Sequence, residues 1–243
     1  DAEIDTAGGD LRRLALRKHS VAVDKKNEPF VLFTDEGSVV HYSQSGLLAR
    51  DGALPDHKAR WRADKARYTL AEGEKSVAVE LRWTGKDGVQ VTKRFTFHRN
   101  SYVVDVAYEV RNGGRKPIDA FLYAQLVRSH VENAGLFALP SYTGPVVYSA
   151  ENKYEKIAQE DLAKKPYARQ TTGGWAALLQ LHFVDAWLPN EKARSELYAK
   201  SLSSNRYLVG YNDLAATPVA PGASATLATR LYAGPKEQHR LEQ

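Results

Sequence analysis

The chain has 243 residues, 43% of them apolar and 26% charged, with a formal net charge of +5 and no cysteine. That balance excludes a disordered chain, and the missing cysteines exclude a disulfide framework, a zinc-thiolate site and a cysteine nucleophile. Lys and Arg are interspersed with Asp and Glu, and no block of five or six like charges forms a nucleic-acid stripe.

The chain also carries no methionine, not even at position 1, which predicts a processed product or an excised fragment. No stretch reaches the roughly 18 apolar residues of a membrane helix. The nearest, Trp175 to Pro189, is interrupted by Gln180, His182 and Asp185.

Along the chain, Gly8-Gly9 predicts a turn, and Ala53 to Arg60, with Pro55, a loop. Val77, Val79, Leu81 and Trp83 alternate with Glu80 and Arg82, the period of a half-buried strand. Gly85-Lys86-Asp87-Gly88 supplies a turn. The next run sets Val89, Val91, Phe95 and Phe97 on one face and Gln90, Thr92, Arg94, Thr96 and His98 on the other, completing a hairpin. Tyr102 to Val110 alternates likewise and stops at Asn112-Gly113-Gly114. A further run follows Pro117, from Ile118 to Val127.

Leu139 to Pro145 reads as a loop, and Lys153 to Ala163 fits either a short helix or a strand. The run around Trp175 reads as strand, with Trp83 and Trp187 as core residues. Glu196 to Ser201 and Arg206 to Asn212 flank Ser203-Ser204-Asn205 as another hairpin, and Pro221-Gly222 leads into Ala225 to Tyr232. Gly234-Pro235 followed by Lys236, Glu237 and Gln238 predicts the start of a helix. Strands at roughly ten-residue spacing without a βαβ rhythm predict an all-β sandwich or barrel. One domain, residues 1–243, is expected.

Seven histidines occur, and none has the spacing of a zinc helix. His182 and Asp185, three apart in an apparent strand, face opposite ways; His130 and Glu132 share a face if that run is extended. Neither a Gly-x-Ser-x-Gly elbow nor a dinucleotide loop is present, and Thr171-Thr172-Gly173-Gly174 reads as a loop entering the strand at Trp175. These observations predict no catalytic residue, no metal and no cofactor. Thirteen tyrosines and four tryptophans fit either a β core or a sugar-stacking face.

Several segments in register carry a family likeness. They are Gln44-Ser45-Gly46-Leu47 with Arg50-Asp51-Gly52, Tyr68 to Gly73, Thr92-Lys93-Arg94-Phe95, and the Asn112 to Pro117 turn. Tyr148-Ser149 with Lys153-Tyr154-Glu155-Lys156 follows, then Gly173-Gly174-Trp175 with Ala186-Trp187-Leu188-Pro189, and Pro221-Gly222 with Gly234-Pro235. In this order they resemble the large periplasmic domain of YidC membrane protein insertases of Gram-negative bacteria.

The resemblance implies a β-supersandwich of mainly antiparallel strands, galactose mutarotase-like, with a short helical element at its C-terminal end. It implies a non-catalytic domain on the periplasmic side of the inner membrane, attached to membrane segments that insert nascent membrane proteins alone or with the Sec translocon. Its partners would include the SecDF accessory complex and client chains. The likeness points to Leu136 to Thr172 as the partner surface. Tyr148, Tyr154, Lys156, Lys164, Lys165 and Tyr167 there, with Trp175 just beyond, mix aromatic and basic groups suited to an interface. The alternatives are a carbohydrate-binding or mutarotase-like envelope protein and a chaperone accepting extended hydrophobic segments.

Overall fold

A computed structural model describes residues 1–22, 25, 27–37, 39–130, 142–203 and 205–236. In chain order its strands are β1 (Ala2–Asp5), β2 (Asp10–Ser20), β3 (Pro29–Phe33), β4 (His41–Ala49), β5 (Arg62–Ala63), β6 (Ser76–Thr84), β7 (Val89–His98), β8 (Val103–Asn112) and β9 (Ile118–Ser129). Then come β10 (Gly144–Ser149), β11 (Lys153–Lys156), the helix α1 (Gln159–Lys164), β12 (Tyr167–Thr172), β13 (Trp175–Leu179) and β14 (Phe183–Leu188). The last are β15 (Arg194–Leu202), β16 (Arg206–Asp213), β17 (Thr217–Val219) and β18 (Ser224–Pro235).

They form two sheets of antiparallel pairs. The first runs β1-β2-β4-β9-β16-β15-β12, with β3 beside β2 and β17 beside β9. The second runs β11-β10-β13-β14-β18-β8-β7-β6-β5. Their inner faces share one core in which Phe33, Phe95, Val106, Tyr108, Leu122, Leu126, Trp187 and Tyr211 are fully or almost fully buried. Burying each large side chain stabilises the fold by about 1.5–3 kcal/mol. Of the all-β sandwich and barrel that strand spacing allowed, the sandwich is the fold observed, as the family resemblance implied.

The predicted hairpins fall in place: β6 pairs β7 from Ser76↔His98 to Thr84↔Gln90, and β15 pairs β16 from Ser195↔Asp213 to Leu202↔Arg206. One residue of β7 departs from its neighbours' chemistry. Lys93 points inward with Val91 and Phe95, and its ammonium donates to the carbonyls of Gly9 (2.6 Å) and Ser45 (3.1 Å).

Four local expectations are corrected. Lys153 to Ala163 holds both candidates in sequence, the strand β11 and the start of α1. Glu160 and Asp161 sit in the first helical turn and Lys164 in the last, favourable ends of the helix dipole, and Pro166 follows. Gly144 and Pro145, expected in a loop, open β10. The run from Trp175 is the hairpin β13–β14, with the turn at Gln180 to His182, and its strands bury both faces. Gly234 and Pro235 close β18 opposite Val184 and Phe183, and the helix expected to follow falls on residues 237–243, outside the described residues.

The double burial of β13 and β14 is a property of the second sheet's outer face. Val146, Ala177, Val184, Ala186 and Tyr232 form a second buried cluster there, with Tyr142, Trp175, Leu179 and Leu188 packed on it. Further along the same face, across β6, β7 and β8, the side chains turn charged: Glu80 pairs with Arg94 at 2.7 Å, and His98 with Asp105 at 2.6 Å.

Candidate interaction surface

At the β11 edge of the second sheet, three aromatic residues meet through strand register. Tyr148 stands opposite Tyr154 on one side and Trp175 on the other, so all three project from one face. Tyr148 stacks on Trp175 with centroids 5.6 Å apart and planes 16° from parallel, and Tyr154 leans on Trp175 at 6.3 Å. Tyr148 and Trp175 are half-buried, whereas Tyr154 is 45% exposed. Lys156, two residues on from Tyr154, holds its ammonium 5.1 Å from the ring centre of Tyr142. The Tyr142 hydroxyl lies 2.7 Å from the Pro145 carbonyl and 2.8 Å from that of Ile157, tying the start of β10 to the end of β11.

Tyr167 does not join this trio. It lies on β12, at the edge of the first sheet, and its hydroxyl donates to Glu155 Oε2 at 3.0 Å. The Arg169 guanidinium sits 3.4 Å from the same carboxylate and 5.6 Å from the Tyr167 ring centre. Burial, and the Glu155 carboxylate beside it, push the Tyr167 phenol up to about 12. Glu155 thus clasps the neighbouring edges of the two sheets. Lys164 and Lys165 are exposed at the end of α1, and Leu136 to Ser141 lie outside the described residues.

Within Leu136 to Thr172, sequence reasoning did not single out Tyr142, Glu155 or Arg169, which brace the strands around this surface. Glu155 had a signal: between Tyr154 and Lys156 on a strand, it must point to the opposite face.

The titratable groups elsewhere are spread out. His19 meets the Tyr102 hydroxyl (2.7 Å), His57 that of Tyr123 (2.6 Å), and His41 the Asp185 carboxylate (2.9 Å). His182 is exposed in the β13–β14 turn, whereas Asp185 is buried. Glu132 lies outside the described residues. Among the described residues no group of three His, Asp or Glu side chains is placed to hold a metal.

Asp10 and Lys93 are shifted in opposite directions by burial. Burial pushes Asp10 up to about 6 although Arg12 (3.0 Å) and Gln44 (2.8 Å) donate to it, and burial pushes Lys93 down to about 7. Both side chains are sealed from solvent, at 1% and 0% exposure, so no solute reaches them. A pocket of about 230 Å³ lies between α1 and the β15–β16 hairpin, lined by Gln159, Leu162, Ser201, Arg206 and Tyr207 among others.

Comparison with known proteins agrees with this architecture. The family model of the YidC periplasmic domain matches residues 1–243. A membrane protein insertase YidC of Nitrosospira multiformis is 43% identical over 99% of this chain, and one of Methylobacillus flagellatus is 40% identical over 99%. The chain spans 42% and 43% of those relatives' lengths. Among solved structures, a galactose mutarotase-like protein from Lactobacillus casei superposes with a TM-score of 0.58 at 12% identity, covering 96% of both chains. A galactose mutarotase related enzyme from Lactobacillus acidophilus gives 0.57 at 8% identity, covering 96% of this chain and 93% of its own. At such identities the likeness establishes the fold and transfers no activity. The match along its whole length places this chain in the YidC periplasmic domain family, within the membrane protein insertases.

Proposed function

We propose that the chain acts as one non-catalytic unit on the periplasmic side of the inner membrane. There it is a docking module of an insertase that helps membrane proteins insert and fold, and its partners are Sec accessory proteins, SecDF among them, or client chains. The observation that carries this reading is the Tyr148–Trp175–Tyr154 cluster. An aromatic group held rigid by stacking and cross-strand pairing, yet with Tyr154 nearly half exposed, supplies contact area at little entropic cost. Lys156 beside it adds a basic rim.

The test is binding to detergent-solubilised SecDF. Two anchoring rings at about 2 kcal/mol each, about 4 kcal/mol together, would make Tyr148→Ala with Tyr154→Ala weaken binding by roughly a thousandfold. Unchanged binding by a folded double variant rules this surface out.

A second reading, carbohydrate binding, draws on the same exposed ring, since Tyr154 against Trp175 offers an apolar platform for a sugar face. Calorimetry with mono- and oligosaccharides separates the two: heat that disappears in Tyr154→Ala favours the sugar, and silence across the panel removes it.

A further inference from the structure

Among the described residues the two sheet paths end on four strands, and these edges are unequally protected. A sheet edge presents unpaired N–H and C=O groups that invite another strand, and proteins blunt it with bulges, shortness or charge. β1 shifts register between Glu3 and Ile4. β5 has two residues, and β11 has four, beginning at Lys153 with φ +58°. β12 has no bulge, and its one charge, Arg169, is turned to Glu155 rather than to the open edge. Its six residues keep unbroken register with β15 from Tyr167↔Ala199 to Thr172↔Arg194 and include no proline.

The direction of its backbone groups follows from one bond. The Gly173 N–H donates to Ala193 O at 3.1 Å, and these residues continue the β12–β15 register. Antiparallel hydrogen-bonded pairs alternate, so Thr171, Arg169 and Tyr167 turn their backbone toward β15, while Ala168, Gln170 and Thr172 turn theirs outward. Those three residues are exposed and uncharged. The strand is held straight from below, where Tyr167 and Arg169 clasp Glu155.

Charge decides the occupant. Lys165 and Lys164, the latter 3.5 Å from the Asp161 carboxylate, stand at the head of the edge and Arg194 at its foot, where its guanidinium lies 3.4 Å from the Gln170 amide oxygen. A second copy pairing antiparallel would bring one molecule's head lysines to the other's foot arginine, a like-charge contact. An extended segment with acidic residues meets complementary charge at both ends.

We propose that the Tyr167–Thr172 edge accepts an extended, acidic strand of a partner polypeptide, added to the first sheet beside β12. This rests on the docking reading and gives the partner segment its conformation and charge.

The test exploits the backbone direction. Gln170→Pro removes an outward N–H and leaves the bonds to β15 in place, as proline is tolerated at an edge. Gln170→Ala keeps the backbone. Against detergent-solubilised SecDF, Gln170→Pro is expected to weaken binding by about tenfold or more through the lost hydrogen bond and blocked approach. Gln170→Ala should stay within about twofold. In the unmutated chain, hydrogen exchange at Ala168, Gln170 and Thr172 should slow when SecDF is added, a readout independent of how the proline variant folds.

Native-like binding by folded Gln170→Pro, equal losses in the two variants, or unprotected amides in the bound chain overturn the proposal. If those results accompany binding that Tyr154→Ala still weakens, the docking reading survives without the edge. If the unmutated chain binds nothing, both fall. Self-association that Gln170→Pro abolishes would assign the edge to a second copy and overturn the acidic partner.

Discussion

His41 on β4 and Asp185 on β14 join the two sheets through the interior: Nε2 and Oδ2 lie 2.9 Å apart and both side chains are almost fully buried. Gln180 places its amide nitrogen 3.1 Å from the imidazole Nδ1. That donor leaves the ring proton on Nε2, pointing at the carboxylate. Removing one partner of such a pair strands the other without solvent. His41→Ala is therefore expected to lower unfolding stability by about 3–5 kcal/mol. Asp185→Asn, which keeps an acceptor for Nε2–H, should cost about 1 kcal/mol. Urea denaturation checks both, and an Asp185→Asn loss as large as that of His41→Ala would show that a neutral acceptor does not replace the carboxylate.

The interior also sets a pH profile. Asp10, ordinarily at 3.8, is pushed by burial to about 6, as is Asp213, and Lys93, ordinarily at 10.5, is pushed by burial to about 7. Between about pH 4 and 6 the folded chain keeps protons on Asp10 and Asp213 that the unfolded chain releases, so this contribution to stability falls as pH rises. Between about pH 7 and 10.5 the unfolded chain keeps the Lys93 proton that the folded chain releases, so the contribution rises with pH. Together they give a trough near pH 6–7. In urea titrations compared with the parent, Asp10→Asn should flatten the acid limb and Lys93→Met the alkaline limb. Lys93→Met also removes the charge that holds Asp10 down, so the acid limb should extend to higher pH. Difference curves flat in both limbs would contradict the assignment.

Legibility followed burial. Strands with one wet face, such as β6, β8 and β15, announced themselves by alternation. β13 and β14 did not, because the outer face they help build is apolar, and a strand buried on both sides loses its period of two. β4 is hidden for a second reason: six of its first seven residues are not aliphatic, yet all seven are buried, three of them through side-chain hydrogen bonds of His41, Gln44 and Ser45. Lys93 hides similarly, a charge at an inward position. For the candidate surface, residue type singled out Tyr148, Tyr154 and Trp175, but their meeting depends on β10 lying between β11 and β13, which pattern alone does not give. Tyr167 was grouped with them by nearness in sequence, whereas α1 carries the chain across to the other sheet before β12 begins.

The aromatic cluster depends on a residue with no side chain. Gly174 precedes Trp175 at φ +100°, and a Cβ there would lie 2.3 Å from the Tyr148 carbonyl oxygen. Gly174→Ala is strained twice, by its dihedral and by a clash with backbone that cannot swing aside. Relief must separate β10 from β13 where Tyr148 stacks on Trp175. Gly222→Ala is the control: φ there is +76°, with nothing within 4 Å of the added Cβ, so it bears the dihedral strain alone. That strain costs about 1 kcal/mol, and Gly174→Ala should exceed it by about 1–3 kcal/mol, the range of overpacking. Gly174→Ala should also weaken the near-ultraviolet dichroism of the stacked rings, which Gly222→Ala should leave unchanged. Equal stability losses with equal spectra would mean that the β10–β13 contact yields freely, and the cluster would then lack the rigidity that makes it a docking surface.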